Sequence, residues 1–388
     1  MPIKNRIADL APEIAAWRQD LHAHPEIGFD LGRTSSVVAE KLKEFGCDEV
    51  VTGIGKSGVV GVIRGKTDTR GNVIGLRGDM DALPILEDSG VTYASENAGV
   101  MHACGHDGHT AMLLGAAKYL AETRNFDGTV VLLFQPAEEL GSGAKAMIED
   151  GVMDRFGIKE VYGMHNAPGL PAGVFAIRSG PMLASVDEFQ IVVTGLGGHA
   201  AKPNETLDPT VMASQIILAL QTIISRNADP IAQGVVSVTS VDTSSHAYNV
   251  IPQSVTLRGT VRTHTPDLQK LIQRRIPELC ESMAQSFGGK AEVTYIPHVP
   301  VTVNAEDPTA FAAEVARDVA GACVEAPMAM GGEDFSYMLQ ERPGAFILIG
   351  NGETSATLHH PEYNFNDEAI PAGCSWFSEL VERRMPAA

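Results

Sequence analysis

Apolar residues alternate between helical and strand-like spacing through the first half of the chain. Apolar positions three and four residues apart predict a helix over 34–45, which Gly46 ends. Further helices are predicted from about His106 and over 143–151. Short apolar runs between these helices predict strands over 58–65, 73–79, 129–136 and 160–166. Alternating strands and helices are typical of an α/β domain, in which helices flank a mixed, mostly parallel sheet.

Both ends of the chain extend this α/β pattern. Residues 1–26 are amphipathic and contain no continuous apolar run, which predicts a helix and not a signal peptide. Towards the other end, helices predicted over 307–319 and 367–384 flank an apolar strand at 345–350. These later segments therefore resume the α/β domain that the first half of the chain begins.

The pattern changes near residue 186, where polar and apolar residues begin to alternate as in half-exposed antiparallel strands. The predicted order is strand, helix, strand, strand, helix, strand, at 187–195, 208–226, 235–241, 254–264, 267–288 and 291–297. That order predicts a compact α+β unit of the ferredoxin-like type. We therefore expect an inserted domain at 184–296, between the two parts of the α/β domain at 1–183 and 297–388.

The acidic composition narrows the range of partners. Of 388 residues, 48 are Asp or Glu and 29 are Lys or Arg, which gives a formal net charge of −19. A surface of this charge repels nucleic acid and anionic membranes, so we expect neither as a partner. No run of about 18 apolar residues predicts a membrane span.

Cysteine usage indicates the redox environment. The five cysteines are widely spaced, and their odd number argues against a disulfide framework: Cys47, Cys104, Cys280, Cys323 and Cys374. A reducing compartment fits this pattern, and we therefore expect a cytoplasmic location.

The segment MHACGHDGHT places Cys104 and His106 immediately before a predicted helix. A thiolate and an imidazole at this spacing can bind one metal ion, because irregular backbone before a helix lets both side chains converge. Taken alone the pair is weak, since free cysteines are often small apolar core residues and a lone histidine is usually structural.

Acidic and imidazole side chains follow three of the predicted strands. Asp79 and Asp81 follow the second strand, Glu138 and Glu139 follow the third, and His165 lies at the end of the fourth. Ligands of open α/β sheets bind at the carboxyl ends of the strands, and adjacent carboxylates there need a neutralising cation. The sequence therefore predicts a metal site at this edge, with the aspartates orienting the imidazole ligands.

An ordered set of motifs carries a resemblance to one known family. The motifs are LHAHPEIGF, GLRGDMDALPI, HACGHDGHTAMLLGAA, QPAEE, MHN, GGHAAKP, NVIPQSVTLRGTVRT, GGEDFSYM and LHHPEYNFND. In this order they resemble the signature segments of the aminoacylase/carboxypeptidase metallopeptidase family. The branch is the one that holds hippurate hydrolase and indoleacetyl-amino-acid hydrolase, and the resemblance covers nearly the whole chain from residue 21.

This resemblance implies a catalytic α/β domain that holds two divalent transition-metal ions per subunit, Zn, Mn, Co or Ni. The implied metal ligands are Cys104, His106, Glu139, His165 and His359. In the last motif the family reads His-x-Pro, which selects His359 over His360. Glu138 matches the general base of the family, while Asp79 and Asp81 stand where they can orient the ligands.

The inserted unit resembles the lid and dimerisation domain of the family, which implies a homodimer formed through that domain. Its GGH motif supplies His199, which the resemblance implies reaches a substrate oxygen. Asn249 and Arg262 lie in segments that approach the substrate carboxylate in relatives. The implied substrate is a small N-acyl amino acid, of the hippurate or N-acetyl type, whose amide bond is attacked by a metal-activated water.

Three alternatives stay open from the sequence. Within the family, the chain could be a dipeptidase or carboxypeptidase, or a deacetylase of N-acetyl-diaminopimelate. In another class, Cys104 could be the nucleophile of a cysteine hydrolase, which a chelator would not inhibit. The third alternative is a metal-binding protein without turnover, against which the intact Glu138 beside Glu139 argues.

Overall fold

The computed structural model describes residues 4–387, and its internal contacts divide the chain into two compact units. The first unit contains the described residues up to Met182, Thr302–Pro327 and the residues from Asp334 onwards. The second unit contains Leu183–Val301 and Met328–Glu333. The second unit thus continues past residue 296 and includes a short segment from later in the chain.

The helices and strands are numbered along the chain. The helices are α1 Asn5–Ala23, α2 Gly32–Glu44, α3 His106–Thr123, α4 Gly143–Glu149, α5 Val152–Arg155, α6 Pro209–Thr222, α7 Pro266–Ser286, α8 Glu306–Ala320, α9 Phe335–Glu341 and α10 Ile370–Arg384. The strands are β1 Glu49–Ile54, β2 Gly58–Arg64, β3 Val73–Asp79, β4 Thr129–Gln135, β5 Glu160–Pro168, β6 Phe175–Ile177, β7 Gly180–Leu183, β8 Ser185–Thr194, β9 Gly198–His199, β10 Gly234–Thr243, β11 Val250–Ile251, β12 Ser254–Thr263, β13 Lys290–Val299, β14 Thr302–Asn304, β15 Cys323–Glu325 and β16 Gly344–Gly352.

The central feature of the first unit, within residues 4–387, is an eight-stranded sheet with the order β1-β2-β4-β3-β5-β16-β6-β15. Strands β4, β3, β5 and β16 run parallel to one another, whereas β1 and β2 form an antiparallel hairpin that pairs with β4. The carboxyl ends of β3, β4 and β5 therefore lie at one edge of the sheet. This edge carries the predicted site residues of the first unit.

Helix α3 is the buried helix of the first unit and packs against α1, α10 and β3. Its apolar residues, including Leu113, Leu114 and Ala117, are fully buried, as are the first residues of the helix. Burial on nearly all sides explains why polar residues with at least partly exposed side chains, such as Lys118 and Glu122, are confined to its last turns. It also fixes the start of the helix, His106, against the carboxyl ends of the strands.

The second unit contains a four-stranded antiparallel sheet with the order β10-β12-β8-β13. Helices α6 and α7 pack against this sheet through residues such as Ile216, Leu220 and Ile272. Along β8, buried and less buried residues alternate, as expected for a strand covered on one face. Strand β8, helix α6, strands β10 and β12, helix α7 and strand β13 follow one another in the ferredoxin-like order.

The predicted fold class is confirmed, and the differences concern small elements. Strand β1 is not predicted because its residues are largely exposed and show no regular alternation. Strands β6 and β15 contain three residues each, too few for a periodic pattern. The N-terminal helix was predicted over 1–26 and occupies Asn5–Ala23, while residues 1–3 lie outside the described part of the chain. Within residues 4–387, no helix combines the length and the apolar character needed to cross a membrane.

Candidate metal centre and active site

The turn at Gly105 brings Cys104 and His106 together at the start of α3. Gly105 has a φ of +86°, a region that favours glycine over residues with a Cβ atom. A Cβ atom here would also lie 2.3 Å from Asn166 Nδ2 and 2.5 Å from Tyr363 Oη. Both observations require glycine between the two predicted ligands. The sequence signal for this requirement is the Gly in CGH, which the motif-based prediction did not use.

A second turn positions Glu138 and Glu139 after β4. Ala137 is fully buried with a φ of +51°, which is unfavourable for alanine and redirects the chain after Pro136. The turn then closes through a hydrogen bond of 2.7 Å from the Gly141 N–H to the Glu138 carbonyl. Sequence reasoning identified the two glutamates but not the left-handed residue that precedes them.

Asp81 holds this glutamate turn through backbone hydrogen bonds. Its Oδ1 accepts from the Glu138 N–H at 3.0 Å, and its Oδ2 accepts from the Glu139 N–H at 3.2 Å. The backbone carbonyl of Asp81 is 2.8 Å from His106 Nδ1. Asp81 therefore connects the chain after β3, the glutamate turn and the first residue of α3.

His165 and His359 complete the group of predicted ligands. His165 Nε2 lies 3.4 Å from Cys104 Sγ, and His359 Nε2 lies 3.4 Å from Glu139 Oε1. The His359 N–H donates to the Ala103 carbonyl at 2.8 Å, which ties its loop to the Cys104 segment. His359 and His360 are both exposed, but the Nδ1 of His360 accepts from the Glu362 N–H at 3.1 Å. Among the described residues, His359 belongs to a group of potential metal ligands and His360 belongs to none.

All six predicted ligand and base residues of the first unit converge. Their potential ligand atoms form three groups, each with atoms within 4.8 Å of one another: Cys104, His106 and His165; Cys104, Glu139 and His359; His106, Glu138 and Glu139. Because these groups share members, they describe one continuous cluster at the carboxyl edge of β3, β4 and β5. Their individual roles as ligands or base stay predictions.

The protonation pattern of two imidazoles fits a metal ion. His106 Nδ1 donates to the Asp81 carbonyl, and His165 Nδ1 donates to the Asn166 carbonyl at 2.8 Å. A neutral ring held in this way has its lone pair on Nε2, as in histidines that bind a metal ion through Nε2. Burial would lower the pKa of His106, but Asp79 and Cys104 outweigh burial and raise this pKa well above its usual value, so a metal ion at Nε2 would displace a proton. Within the described part of the chain, the buried His106 Nε2 has no hydrogen-bond partner. A buried nitrogen of this kind beside carboxylates fits a cation.

The pKa values of Cys104 and Glu139 also fit a cation bound at the cluster. Burial raises the pKa of the Cys104 thiol well above its usual value, although His106 partly opposes this. Burial also opposes the charge of Glu139, but contacts with His359 and His106 outweigh it and lower its pKa. A buried thiol of this type becomes a thiolate when a cation stabilises the negative charge, so metal binding would release its proton.

Asp79 is held by donors on both carboxylate oxygens. Its Oδ1 accepts from His109 Nδ1 at 2.6 Å, and its Oδ2 accepts from the buried Arg77 at 2.6 Å. Burial alone would raise the pKa of Asp79, but Arg77 outweighs it and holds the pKa well below its usual range. Asp79 Oδ2 lies 3.7 Å from His106 Nε2, so the negative charge of Asp79 favours a positive charge at His106 or on a cation bound there.

Arg77 extends this arrangement and was not identified from the sequence. Besides Asp79, it donates to Gln135 at 2.9 Å and to Asp334 at 3.3 Å, and all of these side chains are buried. Asp334 also accepts from the Ala144 N–H at 2.9 Å. The available signal was an arginine inside the apolar run of β3, because a fully buried arginine needs acidic partners.

His109 is fully committed to hydrogen bonds. Its Nδ1 donates to Asp79, and its Nε2 accepts from the Asn166 N–H at 2.9 Å. Burial lowers the pKa of His109 to about 4, which keeps the ring neutral. With both nitrogens occupied, His109 acts as a local hydrogen-bonding group beside the cluster.

The predicted substrate residues lie in the second unit. His199 ends β9 and Asn249 directly precedes β11, and the two strands pair, with the Ala200 N–H donating to the Asn249 carbonyl at 3.0 Å. His199 and Asn249 are therefore neighbours on one two-stranded ribbon, and both are exposed. Arg262 lies on β12 in the four-stranded sheet and donates to the carbonyl of Val261 at 3.1 Å.

Comparison with known proteins identifies the family. The model of peptidase family M20/M25/M40 matches residues 75–383. The hippurate hydrolase of Campylobacter jejuni is 42% identical, with 97% of each chain covered, and an N-acetylcysteine deacetylase of Bacillus subtilis is 38% identical, with 94% of each covered. A crystal structure of a dinuclear metal-binding M20 peptidase from Bacillus subtilis superposes with a TM-score of 0.87 and 34% identity, covering 98% of this chain and all of that chain. These matches confirm the resemblance found in the sequence, and the chain belongs to peptidase family M20/M25/M40.

Proposed function

We propose that the protein hydrolyses the amide bond of a small N-acyl amino acid, with water activated at a site for two divalent metal ions. The chain is a metal-dependent amide hydrolase, in agreement with its family and with relatives named as hydrolases and deacetylases. The observation that carries the proposal is the single cluster formed by Cys104, Glu138, Glu139 and three histidines. The choice of substrate follows the relatives named hippurate hydrolase and N-acetylcysteine deacetylase.

We assign the metal ions to the following ligands: Cys104, His106, Glu139, His165 and His359. Thiolate and imidazole ligands favour borderline ions such as Zn, Co or Ni over Mg or Ca, and the carboxylate of Glu139 also suits Mn. When bound, two such ions supply a Lewis acid and lower the pKa of a water molecule towards ~7. Asp79 and Asp81 are assigned the role of fixing this ligand set, because both contact His106 and each is held by several hydrogen bonds.

Glu138 is assigned as the general base. It is adjacent to Glu139 in the turn after β4, and its Oε2 lies 3.9 Å from His106 Nε2, within reach of a water molecule bound at the cluster. A carboxylate there can accept the proton of the attacking water and later donate it to the leaving amine. Because Asp81 accepts from the backbone N–H of Glu138, the turn that carries this carboxylate is held in place.

His199 is assigned as a donor to the substrate oxygen. Its Nδ1 accepts from the Ala201 N–H at 3.1 Å, so the proton of the neutral ring lies on Nε2. The exposed ring therefore presents an N–H to its surroundings. Such a donor is suited to the oxyanion that develops when water attacks an amide carbonyl.

Asn249 and Arg262 are assigned to the free carboxylate of the substrate. Asn249 is exposed beside His199, which makes its amide available to a ligand. Burial lowers the pKa of Arg262, although Asp187 and Glu188 oppose this, and the guanidinium remains charged. A guanidinium is a strong partner for a carboxylate.

We further propose that the second unit is a lid and dimerisation domain, and that the protein is a cytoplasmic homodimer. On α6, Ile216 and Leu220 pack against the sheet of the unit, whereas Val211 and Leu218 are 47% and 63% exposed. These two residues are spaced seven apart and so share a helix face that a second copy could cover. Free cysteines among the described residues support a reducing compartment. Sedimentation that shows only monomers at micromolar concentration would contradict the homodimer.

A substrate screen tests the proposed function. The protein is stripped with a chelator, reloaded separately with Zn, Mn, Co or Ni, and assayed on N-acetyl, N-benzoyl and indoleacetyl amino acids, with dipeptides in parallel. We expect no activity after stripping, recovery with at least one metal, and preference for N-acyl amino acids. Preference for dipeptides would favour a peptidase, and full activity without metal would favour Cys104 as nucleophile. Inactivity on all compounds with metal bound would contradict the amidohydrolase assignment.

A further inference from the structure

A largely buried set of charged residues adjoins the metal cluster in the first unit, because one of its members, Asp107, directly follows His106. We call it the His22 cluster, and it consists of Arg18, His22, Glu87, Asp107 and Asp367. Arg18, His22 and Asp107 have at most 1% of their surface exposed. None of the roles assigned above uses these residues.

The geometry of His22 requires a proton on both ring nitrogens. His22 Nδ1 lies 2.8 Å from Asp107 Oδ2, and Nε2 lies 3.0 Å from Glu87 Oε1. An ionised carboxylate only accepts hydrogen bonds, and a neutral imidazole has one N–H to donate. Two carboxylate partners therefore require the doubly protonated, positively charged ring.

The groups around His22 support this charge. Burial alone would lower the pKa of His22, but its hydrogen bonds to Asp107 and Glu87 outweigh burial and raise the pKa to about 9. Glu87 also accepts from the Ser95 N–H at 2.6 Å, which keeps its carboxylate ionised. The edge of the His22 ring faces Tyr93, with the ring centres 5.7 Å apart. The nearest other histidine ring, that of His102, has its pKa lowered by burial to about 4 and adds no charge.

Arg18 completes the balance of charge. It donates to both oxygens of Asp367, at 2.8 and 2.9 Å, and its Nη1 lies 3.5 Å from Asp107 Oδ2. Two cations from α1 thus face Asp107, Glu87 and Asp367. Asp107 is the second residue of α3 and directly follows His106, while Glu87 lies in the segment between β3 and α3. This segment also carries Asp81 and Cys104.

We propose that His22 is a positioning residue, an imidazolium held between Asp107 and Glu87 that fixes the start of α3 and thereby the direction of His106. It connects α1 to Glu87, inside the segment that carries Asp81 and Cys104, and to Asp107, the residue after His106. Its connection to catalysis rests on the proposed function, whereas its charge and its effect on metal binding do not.

His24 provides a matched control in the same helix end. It is two residues away, its side chain is 33% exposed, and its Nδ1 bonds to the Asp20 carbonyl at 2.8 Å. Within the described part of the chain, its hydrogen bonds and ion pairs involve Asp20 and Glu96, and neither residue belongs to the His22 cluster. His24→Gln should therefore leave metal binding and turnover unchanged.

The charge is tested first, by nitrogen NMR of histidine-labelled protein without metal. We expect the His22 ring to be doubly protonated at pH 7.5 and to titrate near pH 9. A neutral His22 ring at pH 7.5 would overturn the proposal whether or not the protein hydrolyses amides.

The positioning role is tested with His22→Gln and His22→Lys against His24→Gln, by competition of the protein with a chelating dye for Zn. We expect His22→Gln to weaken Zn binding about tenfold and to lower kcat more than it changes KM, with partial recovery in His22→Lys. If His22→Gln does not fold, Glu87→Gln, which removes one partner, is expected to weaken Zn binding in the same direction. Unchanged Zn affinity in a folded variant, with stability alone reduced, would overturn the positioning role. Weakened Zn binding in a protein that cleaves no N-acyl amino acid would contradict the proposed function and leave the role of His22 intact.

Discussion

The metal cluster of the first unit and the ribbon that carries His199 in the second unit differ in how their side chains are held. Around the cluster, Asp79 and His109 are buried. Both carboxylate oxygens of Asp79 and both ring nitrogens of His109 have hydrogen-bond partners. On the ribbon, His199 and Asn249 are exposed, and His199 is held by a bond to the next residue but one. The chemistry is thus assigned to a fixed region, and contact with the substrate to a more open one.

This difference has a physical reason. A metal site needs its ligands in a defined geometry, and buried charges keep that geometry only when every charge has a partner. Residues that contact a substrate must first be solvated and then exchange water for the ligand. We therefore expect substitutions of the assigned metal ligands and of the buried residues that hold them to affect metal binding and stability, and substitutions on the ribbon to affect turnover alone.

Among substitutions in the cluster, Glu138→Gln is expected to separate turnover from metal binding most clearly. The amide cannot accept a proton from water, so kcat should fall by about 10³- to 10⁴-fold while the metal content is retained. Turnover is measured on the best N-acyl substrate and metal content by elemental analysis.

Glu139→Gln is the matched control for this prediction. It changes the neighbouring carboxylate in the same turn, but we expect loss of bound metal, because Glu139 Oε1 lies 3.4 Å from His359 Nε2 among the assigned ligands. Near-normal kcat in Glu138→Gln would remove Glu138 from the role of base, and equal metal loss in both variants would make both residues ligands.

His199→Ala tests the ribbon side of the comparison. Removing a donor to a developing oxyanion costs about 10² to 10³ in kcat, and we expect a loss of this size. Because His199 is exposed, the free energy of unfolding should change by less than about 0.5 kcal/mol, and metal content should not change.

The control for His199 is His298→Ala, which removes another surface histidine of the second unit, 3.1 Å from Glu188 on the four-stranded sheet. Its kcat should stay close to that of the unchanged protein. If His199→Ala is as active as His298→Ala, the ribbon has no part in stabilising the oxyanion. The difference in burial between the two regions would then not correspond to a difference in function.

Sequence patterns were most informative where burial is complete. The apolar runs of β3 and β4 and the start of α3 at His106 are predicted within a residue or so, since a strand buried on both faces is largely apolar. The same segments carry the motifs, so the residues of the cluster could be named from the sequence.

The supporting residues could not be predicted in the same way. The need for Gly105 depends on Asn166 and Tyr363, which are distant in sequence and approach only in the fold. The left-handed backbone of Ala137 leaves no mark in its residue type. Two hydrogen-bond partners of Arg77, Gln135 and Asp334, are likewise distant from it in sequence. No periodic pattern relates these positions to Arg77.

The charge of His22 makes the stability of the buried region depend on pH. The pKa of His22 rises from 6.5 to about 9 on folding, so the folded state binds the proton more tightly than the unfolded state. This contribution, roughly 3 kcal/mol, is complete below pH 6.5 and is lost as the pH rises through 9. Urea unfolding from pH 6 to 9.5 should therefore show a smaller loss of stability in His22→Gln than in the unchanged protein. Parallel pH curves for the two proteins would indicate that His22 is neutral in the fold.

Asp81→Asn tests how closely the buried region must be held, and we expect it to reduce turnover less than Glu138→Gln does. The carboxylate accepts from the N–H groups of both Glu138 and Glu139, whereas an amide has one oxygen and leaves one of these donors without an acceptor. The Asp81 backbone carbonyl still binds His106 Nδ1, so the ligand keeps its direction while the glutamate turn loosens. We expect metal affinity or kcat to fall by about 10- to 100-fold, measured against Asp318→Asn on the surface of α8. An effect as small as that of Asp318→Asn would mean that the turn is fixed by Ala137 and Gly141 alone, and that the buried region tolerates a lost hydrogen bond as easily as the exposed ribbon does.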